Sequence, residues 1–474
     1  MSNPADQPDQ PIQTGALGPD EGATPVLDAA LEQAAIEAIA AGDADLVRDL
    51  IRPLHVSDVA DLLEHLHSEA RQQLVEILRE GFNPEILTEL DETVRDGIIL
   101  QLGVADAAAA VAELDTDDAV HVMGEMDEAD QQQILDAIPA DDRTLIEAGL
   151  AYPEDSAGRM MQRELVSVPE FWTVGQTIDY LRDSAEAGDD TLPKDFYEIY
   201  VVDPTHKPLG EIPLSRLLRT KRGVSATDIM NPEMNLIPVA MDQEDLAFLF
   251  RQRDLVSAPV VDDSGRLVGT ITIDDVVDVI DEEHEEDIMR MGGVTEDDLY
   301  SASLETTRAR FTWLLLNLVT AVLASLVIGL FEATLDQMVA LAILMPIVAS
   351  MGGNAGTQTL TVSVRALAMK ELTSINAMRV IGKELIVGGF NGILFAILTG
   401  VVVWVWFGSL ALGGVIALAM IINMTVAGLA GTTIPILLER IGVDPAVASS
   451  VFLTTVTDVV GFFVFLALAG LFLL

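Results

Sequence analysis

The chain contains no cysteine, so it can form no disulfide and build no thiolate metal site. Basic residues are scarce. Lys and Arg number 26 against 75 Asp and Glu, a net charge of −49, and only 5 of the 26 are lysine. Such a surface repels nucleic acid and attracts cations. A general acidic habit, as in salt-adapted organisms, would also account for the overall excess. No nucleophile–base set and no phosphate-binding loop is present, which argues against an enzyme. Residues 1–25 are rich in Pro, Gly, Gln and Asp and lack an apolar run. They are expected to be a disordered tail rather than a signal peptide.

The last third lacks charge. Phe311–Phe331 is 21 residues without one, Gln337–Val364 is 28 and Leu385–Leu438 is 54. Pro445–Leu474 is 30 residues whose only charge is Asp458. A hydrocarbon core of about 30 Å takes roughly 20 apolar residues per helix. Five spans in lipid are therefore expected, at about 311–331, 338–368 (interrupted), 384–407, 410–438 and 447–472. A lone carboxylate among spanning helices is costly and normally faces a cavity or a partner. Asp458 is thus the first candidate for the working site. Arg308, Arg310, Arg365, Lys370, Arg379, Lys383 and Arg440 flank the spans on one side only. The positive-inside rule then puts the N-terminal part in the cytosol and the C-terminus outside, in a bacterial-type plasma membrane.

The acidic excess lies in residues 1–310, which hold 68 acids and 21 bases once the 7 acids and 5 bases of 311–474 are subtracted from 75 and 26. Residues 26–155 read as an all-α domain with a repeat. Leu66, Leu90, Leu114 and Ile138 recur every 24 residues, with Leu62, Ile86, Ala110 and Ile134 four positions earlier and a polar break after each. Stacked short helices of this kind make a small solenoid. His65, His67 and His121 read as helix-surface residues rather than ligands.

Residues 156–280 change period to strand, amphipathic helix, strand, turn, strand, helix, twice over. The second copy carries Ala258-Pro259-Val260-Val261-Asp262, Gly265-Arg266-Leu267-Val268-Gly269 and Thr272-Ile273-Asp274-Asp275, and resembles a CBS domain. The first is weaker, with Ser215 where an acid usually ends the motif. Many CBS pairs bind adenosine nucleotides through the Thr and Asp of this turn, so an adenine nucleotide is a candidate ligand, with one copy equipped for it. Residues 281–307 are expected to form an acidic connecting helix. Asp274, Asp278, Glu282 and Glu286 would stack at i, i+4, where like charges destabilise a helix. The run is either a solvated acidic linker or a face neutralised by hard divalent cations such as Mg²⁺ or Ca²⁺.

Within residues 308–474, Pro346 and the cluster Gly352-Gly353-Asn354-Ala355-Gly356-Thr357-Gln358 are expected to break the second span. Asn354, Thr357, Thr361 and freed carbonyls would then offer oxygen donors at a pore. Close packing through Gly352 and Gly356 is the alternative, and both can hold. On the fifth span Ser450, Thr454 and Asp458 share a face. One Asp is a poor dehydrated cage, whereas Mg²⁺ is usually held through its water. Two copies of Asp458 across a two-fold axis would place two charges on a pore, which motivates a homodimer.

Pro346 with Gly352–Gln358, Arg365-Ala366-Leu367, Gly442-Val443-Asp444-Pro445-Ala446 and Thr455-Val456-Thr457-Asp458-Val459-Val460-Gly461 closely resemble the MgtE magnesium transporter/channel family. The resemblance covers residues 26–474. It implies a homodimer with five spans per subunit, a pore on the dimer axis, and an ion site at Asp458. It further implies that cytosolic Mg²⁺ closes the pore by bridging carboxylates. The matching positions are Asp242, Glu244, Asp254, Asp275, Asp278, Glu283, Glu286 and Asp287, with Asp118 in the N-domain. Thr357 stands where members often carry Asn, and Thr454 where Ala is common. The competing functions are a divalent exporter coupled to Na⁺ or H⁺, which would need more membrane acids, and a non-conducting membrane-anchored cation or nucleotide sensor, which would need neither the glycine cluster nor Asp458.

Overall fold

The computed structural model describes residues 26–187, 192–193, 195–294 and 303–474. The expected tail at 1–25 and residues 295–302 of the expected connector lie outside the described residues. The chain forms two compact units, one of residues up to Gln243 with Val256–Thr272, the other of Glu244–Leu255 with Ile273–Leu474.

The first unit opens on short helices: α1 (Ala29–Ala41), α2 (Ala44–Ile51), α3 (Val56–His65), α4 (Ser68–Leu78), α5 (Glu92–Leu102), α6 (Val104–Glu113), α7 (Thr116–Gly124), α8 (Glu128–Ala137) and α9 (Ala140–Leu150). Asp28, Asp43 and Asp91 cap α1, α2 and α5 by accepting from first-turn amides. The sequence repeat marks helix ends: Leu66, Leu114 and Ile138 are the extended residues that close α3, α6 and α8. Leu62, Ile86, Ala110 and Ile134 are all buried. Helices this short hold only because each lays a stripe on its neighbours. Arg71 donates from Nε to Leu63 O at 2.7 Å and from Nη2 to Leu66 O at 3.1 Å, satisfying carbonyls that α3 leaves open. Arg95, in register with it, is buried instead and donates to Glu125. Burial, Arg95 and Arg159 push the partly exposed His121 down to about 4, so it stays neutral at pH 7.

After α10 (Ala157–Met160) the two CBS copies follow in chain order. The first is β1 (Ser167–Pro169), α11 (Val174–Ala187), β2 (Glu198–Val202), β3 (Pro208–Pro213) and α12 (Leu214–Arg219). After α13 (Ala226–Ile229) the second is β4 (Ile237–Pro238), α14 (Gln243–Arg253), β5 (Ser257–Val261), β6 (Leu267–Thr272) and α15 (Ile273–Gly292). Each three-stranded sheet pairs its first two strands parallel and its last two antiparallel, and each slips register near the end of the middle strand, at Val201/Val202 and Val260/Val261. The hairpin turns match as well. Asp203 accepts from the amides of Thr205 and Lys207, Asp262 from those of Ser264 and Arg266, and these bonds hold both carboxyls below their usual range.

The second unit holds the five helices that are long and apolar enough to cross a membrane among the described residues. They are α16 (Ser303–Gly329), α18 (Ala340–Ala368), α19 (Ala377–Phe407), α20 (Leu410–Arg440) and α21 (Pro445–Phe472), with the short α17 (Glu332–Gln337) between the first two. Helix α20 is the most buried of the five, and it packs on α18, α19 and α21. Leu341, Leu344, Val348, Ile416, Ala419, Phe465 and Leu466 belong to one apolar cluster of the bundle.

Two expectations are corrected. The second span is not interrupted: α18 runs through Pro346 and all the glycines as one helix of 29 residues. In hydrocarbon no water compensates an open backbone, so glycines that would loosen a helix in water stay helical. The acidic helix begins at Ile273, continuous with β6, rather than at 281, and ends at Gly292, while residues 303–307 belong to α16. Its like charges are tolerated because Val276 and Val279 bury the opposite side and Glu286 pairs with Arg290.

Candidate functional site

Two faces of α18 divide its polar and small residues. Gly352 and Gly356 are buried in the packing seam. A Cβ on Gly356 would stand 2.8 Å from Leu453 of α21, and one on Gly431 of α20 would stand 2.7 Å from Gly356 O. Glycine there permits the close approach. Asn354, Thr357 and Thr361 lie on the exposed side of the same helix, with Gln358 among them. The spacing i, i+3, i+4, i+7 makes this one stripe. Thr357 and Thr361 donate to Gly353 O and Thr357 O, each at 3.0 Å, which leaves their lone pairs as acceptors. The backbone of the glycine cluster stays tied into the helix, while Pro346, which has no N–H, leaves the carbonyl of Ala342 without its usual donor.

On α21, Thr454 is exposed and Asp458 half-exposed, one turn apart, while Thr457 is buried. Among the described residues Asp458 has no cationic or hydrogen-bonding partner. A carboxylate and a hydroxyl stripe open to the surface of the chain are poor company for lipid. They suit a hydrated cation, whose water donates to oxygen acceptors.

Asp458 is not the only acid inside a membrane helix. Glu384 lies within α19, its side chain 13% exposed, 3.5 Å from Lys383 Nζ and accepting from Thr359 Oγ1 at 3.3 Å. A span drawn from 384 hid it at a boundary. Asn423 of α20, fully buried, was likewise missed, and only an amide amid an apolar run could have flagged it.

At the far end of α18 a cavity of about 780 Å³ lies between α14, α15 and the turns that join the membrane helices. Glu244, Glu283 and Asp287 of the expected regulatory set line it, with Asp444, Arg290 and Lys370. Asp444 is the N-cap of α21, accepting from Ala446 N at 2.7 Å, with Pro445 at the first helical position. Its other oxygen accepts from Arg290 Nη1 of α15 at 2.5 Å, and Arg290 also binds Glu286. Burial, Asp444 and Glu283 raise the Asp287 carboxyl above its usual range. Met291 packs against the α18, α20 and α21 cluster, and Gly293, at φ 77°, lies under the indole of Trp313 on α16. The end of the acidic helix and the residue after it therefore meet four membrane helices, α16, α18, α20 and α21.

The other expected positions are not gathered there. Asp275 and Asp278 are on earlier turns of α15, Asp254 is on the exposed turn after α14 at φ 53°, and Asp118 and Asp242 belong to the first unit. Among the described residues no three His, Asp or Glu side chains form a ready metal cage. In the first unit the cleft lined by Tyr200, Glu198, Thr270 and Thr272 has about 10 Å³ of room. That holds one water rather than a nucleotide.

Comparison with known proteins bears on all three regions. A family model described as a divalent cation transporter matches residues 345–468, an MgtE intracellular N domain matches 54–155 and a CBS domain matches 226–282. The magnesium transporter MgtE of Thermus thermophilus is 35% identical over 345 residues, 72% of this chain and 75% of that one. That of Enterococcus faecalis is 34% identical over 324 residues, 68% of this chain and 70% of that one. Among solved structures, the cytosolic domain of the Mg²⁺ channel MgtE in complex with ATP is 30% identical, matching 52% of this chain and 99% of that one with a TM-score of 0.49. With a helical N-domain, a CBS copy and the membrane block each matched, the chain belongs to the MgtE family of magnesium transporters.

Proposed function

We propose that the protein is a Mg²⁺-selective uptake channel of the plasma membrane, acting as a homodimer and closed by cytosolic Mg²⁺. The observation that carries this is the set of polar side chains the membrane helices leave accessible: Asn354, Thr357 and Thr361 on α18, and Thr454 and Asp458 on α21. In one protomer these side chains are open, and a second copy would turn them into a lined path. Asp458 from each copy would attract the ion and hold it through its water, and the hydroxyls and amide would accept from that water. The basic residues at the turns give a cytosolic N-terminus. The acids of α14 and α15 (Glu244, Asp275, Asp278, Glu283, Glu286, Asp287), with Asp254, Asp242 and Asp118, are the proposed sensor. Mg²⁺ bound among them would relieve their repulsion and hold α15 against the membrane helices. An adenine nucleotide at the CBS pair is a further candidate ligand.

The absence of cysteine makes the test direct. Thr357→Cys and Thr361→Cys, reconstituted in vesicles, should lose Mg²⁺ flux to a charged, water-soluble thiol reagent, and Mg²⁺ should slow the reaction. Val405→Cys, on the exposed side of α19, should keep its flux. Equal indifference of all three would remove the path from α18.

A further inference from the structure

Asn423 sits at mid-length of α20 and has no exposed surface. Its Nδ2 donates to Val348 O of α18 at 2.9 Å. Among the described residues its Oδ1 has no hydrogen-bond partner. The same side chain fills the space over two glycines. A Cβ on Gly352 of α18 would collide with the amide, and one on Gly461 of α21 would stand 2.8 Å from Nδ2 and 3.4 Å from Oδ1. Gly461 lies three residues beyond Asp458, just under one helical turn. The amide is therefore wedged where α18 and α21 meet, tied to one helix and pressed against the other beside the ion-site carboxylate.

An unpaired amide oxygen in the apolar core of a bundle carries a free-energy cost, which an aliphatic side chain of similar size would avoid. Packing alone thus does not account for this residue. We propose that Asn423 is a positioning residue. By fixing α18 at Val348 and α21 at Gly461 it sets where the Asp458 carboxylate stands relative to the polar stripe of α18, and so sets the preference for Mg²⁺. This rests on the channel reading above. Mg²⁺ demands near-ideal octahedral geometry, whereas Ca²⁺ accepts variable ligand positions. A displaced carboxylate should therefore weaken Mg²⁺ passage more than Ca²⁺ passage.

The readout is the ratio of Mg²⁺ to Ca²⁺ flux in vesicles, which a smaller number of folded channels would not change. Asn423→Ala should lower that ratio by about tenfold, the size typical of losing a group that orients a metal ligand. Gly352→Ala combined with Asn423→Ala refills the emptied space with a methyl group and keeps a folded bundle if the single variant is unstable. Its ratio should stay low. A wild-type ratio in the double variant would show that volume alone matters and would overturn the proposal. Asp458→Ala is measured alongside. Its flux should vanish, and wild-type flux from it would sink the channel reading itself, independently of what the Asn423 variants do.

Discussion

Asp287 offers a single-residue test of the proposed gate. Its carboxyl is raised by burial and by the negative charges of Asp444 and Glu283. The ionised form is therefore the one that packed α15 tolerates least. As pH falls from neutrality toward the raised pKa, a proton removes that repulsion, and the packed arrangement gains stability; above it the gain is lost. Asp287→Asn should mimic the proton at neutral pH. In vesicle flux without internal Mg²⁺ this variant should conduct several-fold less than wild type, and it should respond less to added Mg²⁺ because a ligand is gone. Full flux with an unchanged response would take Asp287 out of the gate. At this scale, what was legible in the sequence was charge in the wrong medium. Asp458 stood out because no other charge lies within its 30-residue run. Asn423 and Glu384 did not, since an amide carries no charge and Glu384 sits where a helix end and a loop look alike. Asp444 was visible only as part of a Gly-Val-Asp-Pro turn, and its second role toward Arg290 is a contact across more than a hundred residues.

The elements divide in the same way. The change from a 3.6 to a 2 period marked the CBS copies, and the charge-free runs marked the spans, because both patterns record which faces are buried. The glycine cluster misled because its meaning depends on the solvent. In α18 Gly352 and Gly356 make a seam, and Asn354, Thr357, Gln358 and Thr361 take the other side. Two substitutions separate these roles. Gly356→Leu forces a side chain against Leu453, and overpacking of this kind costs about 1–3 kcal/mol, so thermal unfolding in detergent should come earlier. Asn354→Leu, on the exposed stripe, should leave that transition nearly in place, within about 0.5 kcal/mol, and lower Mg²⁺ flux per folded dimer. The reverse pattern would return the stripe to a packing role. The residue that follows α15 offers a third site. Gly293→Ala adds a methyl where Trp313 already stands, at a φ that disfavours side chains. Separated from α16, the acidic helix should no longer transmit closure, and flux should persist at high internal Mg²⁺.

For the whole molecule the relevant quantity is a charge of −49 concentrated before the membrane helices. At an effective dielectric of about 20, close like-charge pairs repel by on the order of a few kcal/mol before screening. Turning a population from open to closed takes about 5.5 kcal/mol of preferential binding, which the proposed Mg²⁺ bridges between carboxylates would have to supply. Changing Asp275, Asp278, Glu283 and Glu286 together to Ala should leave a channel that conducts at high internal Mg²⁺. The direction of that feedback was not legible from composition, because an acidic surface serves salt tolerance as readily as cation sensing. What every part of the account requires is that the ion passes at Asp458. The direct measurement is Mg²⁺ uptake into vesicles holding Asp458→Ala, after size-exclusion chromatography and thermal unfolding have shown a folded dimer. The account predicts no uptake above empty vesicles. Uptake at the wild-type rate would contradict it.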